Sequence, residues 1–405
     1  MKKLLQSKKR GSAIPLAIVV VLILLAMGTG LLRMGLNSRI FSTRSASDIA
    51  ARCAADAGLT KALFEMNEKL QVRFWDGSTL PQAIDANLPN FDAVFSYSVT
   101  GDVASGYTIS SVGTAGQAQR TVYATLELEG LFEHAILTKE YLILKSGTTV
   151  DGYNSLDPLD TDIDVDIGTQ STLDSSIILN SGIIVEGDVI VGIGGDPNTV
   201  IKDLGATTGY QYSALEEDPL ALITPPTLPD WGADITVTGE IVTIGPADSG
   251  QYGNLILAKG TTLGVLEISG DVVLYLTGNI DLGESCELVI KENSSLTVYI
   301  DGDIHCRVGS SVNNENPPED PMKFQLYGTS ETTQFFDIKA KTTWSAVIYA
   351  PNADVDLYAN GDFYGSVVAD SFEFKAGGNY HYDKALKEVE IDDEGVRFVV
   401  NRWHE

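Results

Sequence analysis

From Ser12 to Leu32 the chain carries no charge, reading SAIPLAIVVVLILLAMGTGLL. These 21 residues suffice for a helix that crosses a bilayer core, which takes about 20. A cleaved secretory peptide has a shorter apolar core, about 7–15 residues, ending at a small-x-small site. No such stop interrupts this run. From Arg33 to Leu70 there is no proline, and alanines recur at 46, 50, 51, 54, 55, 57 and 62. Leu59, Leu63, Met66 and Leu70 fall at helical spacing. The pattern predicts one helix over 12–70, on the order of 90 Å long at about 1.5 Å per residue. Gly28, Gly30 and Gly35 weaken its middle by about 1 kcal/mol each relative to alanine. Phe74, Trp75 and a Gly/Pro-punctuated stretch to Pro89 end it. Period-two alternation at 95–99 and 121–128 then predicts a small antiparallel sheet within 71–130.

Beyond residue 130 a short pattern returns: apolar, any, Gly, then Asp, Glu or Asn, then apolar. It stands as IIVEGDVIV at 183–191, ITVTGEIVT at 235–243 and LEISGDVVL at 266–274. It stands again as LYLTGNIDL at 274–282, VYIDGDIHC at 298–306 and LYANGDFYG at 357–365. Tyr275 and Tyr299, Gly278 and Gly302, and Ile280 and Ile304 are each 24 apart. Periods of this size signal stacked units, none of which can bury its apolar face alone. The fold class expected is mainly β with one long N-terminal α-helix, the β part being a parallel β-helix over 131–386. An irregular β-sandwich is the alternative. Prolines in TPPTLPDW (224–231) and NNENPPEDP (313–321) forbid a ladder and mark loops inserted between units.

Charge is split along the chain. Residues 1–44 hold eight of the 27 Lys and Arg and no acid; the rest carries 19 basic against 55 acidic groups, a net of −36. Such a body is repelled by nucleic acid and by an anionic bilayer, while the basic start suits the cytoplasmic flank of an inserted segment. Asp160, Asp162, Asp164 and Asp166 alternate, so an extended strand would place them on one face. Calcium is one way to relieve their repulsion; a solvated acidic edge that blocks strand pairing is the other. Cys286 and Cys306 are candidates for a disulfide, and neither they nor Cys53 has metal-ligand or redox spacing. His381 beside Asp383 could form an acid–base pair, or simply cap the end of the stack. No GxSxG, HExxH or phosphate loop occurs, so no enzyme is expected.

A basic leader ending at Gly11, the small residue Ser12, an uncharged run and a continuing amphipathic helix together resemble a type IV prepilin. RGSAIPLAIVVVLILLAMGTGLLRM looks most like the PilX-type minor pilins. So does the stretch 344–386, with Tyr-Ala-Pro-Asn-Ala at 349–353, Gly-Asp-Phe-Tyr-Gly at 361–365 and His-Tyr-Asp at 381–383. The resemblance implies that prepilin peptidase cuts between Gly11 and Ser12, methylating the new amine. Residues 12–32 would then remain as membrane anchor and assembly helix. It further implies a pilin-like helix and small sheet, other pilins and the assembly platform as partners, and a body exported to a pilus or cell surface. Major pilins carry glutamate at the fifth mature position; here Leu16 stands there, which favours a minor subunit. The segments expected are leader 1–11, helix 12–70, small sheet 71–130, repeats 131–386 and a tail 387–405. The alternative is a membrane-anchored surface β-helix, adhesin or glycan-active enzyme, outside any filament.

Overall fold

The computed structural model describes residues 13–72, 74–157, 159–160, 163, 165–216, 220–316, 320–340, 344–359, 362–375 and 378–405. The chain forms one long N-terminal helix followed by an extensive, largely parallel β region, and divides into two compact units.

The first unit comprises residues 1–128 and returns for 397–405. Its helix α1 runs Ala13–Leu70 and packs only its C-terminal half. Four antiparallel strands follow: β1 (Gln82–Asn87), β2 (Val94–Asp102), β3 (Gly106–Ala115) and β4 (Ala118–Glu129). The helix face is mostly alanine. Ala51, Ala54, Ala55, Ala62 and Met66 are fully buried, whereas Leu63 and Leu70 are only partly so. Small side chains let the helix lie close to the sheet, and Gly113 sits where a Cβ would run into the Ala51 carbonyl. Of the stripe read from the sequence, Leu59 and Met66 join the alanines in the buried contact, while Leu63 and Leu70 lie at its margin. The stretch 387–405, expected as a tail, holds the fifth strand of this sheet, Arg397–His404, beside β4. Asn67 fastens it with two bonds, from its Nδ2 to the Phe398 carbonyl (3.0 Å) and from the Phe398 amide to its Oδ1 (2.7 Å).

The second unit, 129–396, is thus inserted in the chain between two neighbouring strands of the first unit's sheet. Its strands pair in parallel and in register. Leu255, Ile280, Ile304, Phe336, Val355, Phe372, Leu142, Ile177 and Ile201 are successive partners, all buried. Each contributes about 1.5–3 kcal/mol by leaving water. The order of that row is not the order of the chain. The first rung (Ile136–Thr138, Leu142–Leu144) lies against the late strand Phe363–Phe374, and successive rungs lead away from it to Gln211–Leu215. The chain then restarts at the opposite end with Ile235–Thr238 and works back. Cys286 and Cys306 are free, buried thiols; Cys306 sits at the inward position paired with Leu282. The disulfide entertained from the sequence is not formed.

The connection between the two ends must cover a fixed distance. Nine parallel pairings separate Gln211–Leu215 from Gly250–Tyr252, and Asp230 adds a tenth against Gln251. From Ala221, held at Tyr349, to Asp230, five spacings of about 4.8 Å make about 24 Å, against about 29 Å for nine residue steps at roughly 3.2 Å each. This described part of the connection has little slack, and Pro225, Pro226 and Pro229 suit an extended, unpaired backbone. It is held by the Tyr349 hydroxyl on the Ala221 carbonyl (2.8 Å), by buried Ile223, and by Gln251, whose amide donates to the Pro229 carbonyl (2.8 Å).

The motif glycines also find their reason. Asn279 donates its amide to Asn254 Oδ1 (2.8 Å) and Asp303 its amide to Asn279 Oδ1 (2.9 Å). Each side chain caps the next rung's corner, and a Cβ at Gly278 would strike Asn254 Oδ1. Gly278 and Gly302 are equivalent in register, as their spacing of 24 predicts; Gly239 and Gly270 turn other corners.

Deleting Pro225 and Pro226 shortens the connection by about 6 Å. Urea unfolding should then show a loss of at least about 2 kcal/mol, while replacing both by alanine should cost clearly less. Gly113→Ala should destabilise by about 1–3 kcal/mol through overpacking against α1, read by the same measurement.

Candidate functional site: an exposed apolar helix

The first half of α1 has no packing partner among the described residues. Ile14, Leu16, Leu24 and Met34 are 71, 70, 63 and 71% exposed, and apolar side chains are exposed on every side of the rod. An eighteen-residue window here is apolar enough to cross a membrane, and none of it is buried. Water-exposed apolar surface of this extent marks a segment made for another environment. Residues 14–32 span about 28 Å at about 1.5 Å per residue, close to the hydrocarbon thickness of a bilayer. Thr29 turns its hydroxyl back to the Ala26 carbonyl (3.0 Å), so this hydroxyl brings no unpaired donor into the apolar run. Arg33, Arg39 and Arg44 follow on exposed positions. Gly11 and Ser12, read as the cleavage junction, lie outside the described residues.

In the second unit the other candidate groups go to separate tasks. Asp162 and Asp164 lie outside the described residues. Asp160 receives Lys384 Nζ (2.7 Å) and Asn154 Nδ2 (3.3 Å), and the Asp166 carbonyl accepts from the Ala135 amide (2.9 Å). Among the described residues, no three His, Cys, Asp or Glu side chains are grouped to hold a metal.

His381 and Asp383 do not form a pair with each other. His381 Nδ1 is hydrogen-bonded to Asp151, its Nε2 lies 3.9 Å from Asp362, and its ring stacks on Tyr364 at 4.5 Å. Asp383 is buried and accepts from the Ser155 and Ala385 amides (both 3.0 Å), capping the turn Lys384–Lys387. Burial nevertheless raises its carboxyl above the usual range. Tyr380 and Tyr382 donate their hydroxyls to the Ala135 and Phe132 carbonyls, each at 2.6 Å. The closing His-Tyr-Asp segment therefore stitches the last rung to the first. No sequence signal identified the partners Phe132, Ala135 and Asp151, because they stand some 230 or more positions earlier.

A family model described as a domain of unknown function (DUF7305) matches residues 247–389. No curated protein matches the sequence. Among solved structures, the chain is similar to the competence-associated pilin ComZ from Thermus thermophilus at 15% identity and a TM-score of 0.23. That similarity covers 88% of this chain and 97% of the other. It is also similar to an ice binding protein from an Antarctic bacterium, Flavobacteriaceae, at 12% identity and a TM-score of 0.21, over 63% and 81% of the two chains. Both likenesses are weak.

Near the stitched joint, burial and secondarily the charge of Lys387 lower the His134 imidazole from 6.5 to about 4, and among the described residues its Nδ1 has no hydrogen-bond partner. The unfolded chain takes up this proton between those values while the folded chain does not. Stability is therefore full above about pH 6.5 and falls as pH drops toward 4. The residue as a whole is only half-buried, so the loss should be on the order of 2 kcal/mol. Denaturant unfolding at pH 7 and pH 4.5 should show this difference shrinking in His134→Gln, with the carboxylates' own contribution common to both proteins.

Proposed function

We propose that the chain is a minor, PilX-type pilin-like subunit. Residues 12–32 anchor it in the cytoplasmic membrane and afterwards pack among the helices of a type IV pilus or related pseudopilus. The observation that carries this reading is the division of one unbroken helix, Ala13–Leu70, into an apolar half with no packing partner among the described residues and an alanine-faced half seated on an antiparallel sheet. A plain anchor needs only the first half. A helix that is anchor and structural core at once suits a subunit that leaves the bilayer and stays folded. In this reading the parallel rungs of 129–396 wind as a β-helix and are displayed outside, where they serve assembly initiation, tip capping or adhesion. Leu16 lacks the carboxylate that a shaft subunit offers a neighbour's amino terminus, which supports a special position. The role is structural rather than catalytic. Other pilins, the assembly platform and prepilin peptidase are the partners it requires.

Leu16 equally suits the second reading, an anchored surface protein with no filament. Immunogold labelling of sheared filaments against membranes separates the two. The acidic run 160–166 acts in either case as a solvated edge, with Asp160 already neutralised by Lys384. Thermal unfolding in chelator, calcium and magnesium at equal ionic strength should give superimposable curves, and a calcium-specific rise would restore the ion site. Mass spectrometry of the mature protein should find Ser12 at the amino terminus, carrying a methyl group. Mature protein that begins at Met1 or beyond Leu32 would exclude the pilin reading.

A further inference from the structure

The geometry points to a self-formed isopeptide bond between Lys139 and Asn352. Lys139 follows the strand Ile136–Thr138, and Asn352 lies in the strand Trp344–Ala359, 213 positions away. The two are brought together by a register break. Ala350 pairs with Ala369 and Asp354 with Ser371, so four residue steps on one strand face two on the other. The surplus bulges Asn352 out across the intervening rung toward Lys139. That intervening rung supplies Asp370.

Lys139 Nζ lies 2.8 Å from Asn352 Oδ1 and 3.3 Å from Asp370 Oδ1. Asn352 Nδ2 donates to the Ser330 carbonyl at 2.9 Å, which fixes the amide plane. The Lys139 and Asp370 side chains are only 28 and 26% exposed, and Ala350, Ala353 and Ala369 beside them are fully buried. Asp354 is close enough to Asp370 that burial and then Asp370's charge raise the Asp354 carboxyl above the usual range.

An ion pair needs only the ammonium and Asp370. Here the ammonium also meets the carbonyl end of a primary amide whose nitrogen is separately held. Asp370 takes a proton from the Lys139 ammonium, and the freed amine attacks Asn352 Cγ. A new C–N bond forms to Nζ, which gives up a second proton, the Cγ–Nδ2 bond breaks, and both protons, the first relayed by Asp370, leave on the departing nitrogen. Ammonium plus primary amide become secondary amide plus an ammonium ion, with no oxidant or reductant. Strand pairing on both sides holds the reactants in place, and such positioning replaces the improbable encounter of a lysine and an amide in solution.

The test is tryptic digestion and mass spectrometry of the full chain purified in detergent. The expected result is a single branched species joining the Lys139 and Asn352 peptides, lighter than their sum by one ammonia. Lys139→Arg keeps the charge but removes the nucleophile, and should return two separate peptides of full mass; Asp370→Asn should slow the loss. Wild-type protein that yields only separate, full-mass peptides after prolonged incubation overturns the proposal. Ammonia loss that persists in Lys139→Arg does so too, because it marks succinimide formation at the asparagine.

Discussion

A domain inserted between neighbouring strands must begin and end at nearly the same place, and a stack of parallel rungs does not do so by itself. If rungs followed chain order, residues 129 and 396 would emerge at opposite ends. The chain resolves this by starting in the middle of the stack. The joint between the first and last rungs carries the arrangement: Leu142 beneath Phe372, Val150 beside Tyr380, and two tyrosine hydroxyls on the Phe132 and Ala135 carbonyls. Gly130 and Val389 lie so close that a Cβ on the glycine would strike the valine.

That choice creates a second requirement. The chain must travel once from one end of the stack to the other without joining a ladder. Proline supplies this, since it has no amide to donate and favours an extended backbone. The outward tyrosines Tyr275, Tyr299, Tyr327 and Tyr349 form one row, and three of them are buried. Tyr349 holds the crossing segment at Ala221, and Tyr299 donates its hydroxyl to Glu394 on the segment leaving the unit (3.2 Å). An outward face of a sheet thus becomes a second, smaller interior.

Long-range fixation by weak bonds recurs. Asn67 and Phe398, His381 and Asp151, and Lys139 and Asn352 each join residues more than 200 positions apart. Non-local contacts of this kind are slow to form because loop closure precedes any gain. Bonds near the joint act where opening would release both halves of the stack. The acidic side chains are largely left to the outward positions, and several of those near the joint are matched by lysine, as Lys145 with Glu373 and Lys375 with Asp356.

The sequence by itself determined whatever depends on neighbours along the chain. The apolar run of 12–32 and the helical spacing through Leu70 gave the long helix, and alternation at 95–99 and 121–128 gave two strands of the small sheet. The 24-residue recurrence gave true partners, Tyr275 with Tyr299 and Ile280 with Ile304. Gly239 and Gly270 carry the same pattern but are not register-equivalent: Val242, beyond Gly239, pairs with Leu266, before Gly270, because a glycine can serve different corners of a stack. Only the tertiary structure decided the order of rungs, the return of 397–404 to the first unit's sheet, and the separate tasks of His381 and Asp383. Hydrogen bonds between parallel strands are made by the backbone, which is identical at every rung. Which rung lies on which is therefore chosen by packing and chain length across the whole unit, and no local pattern records that choice.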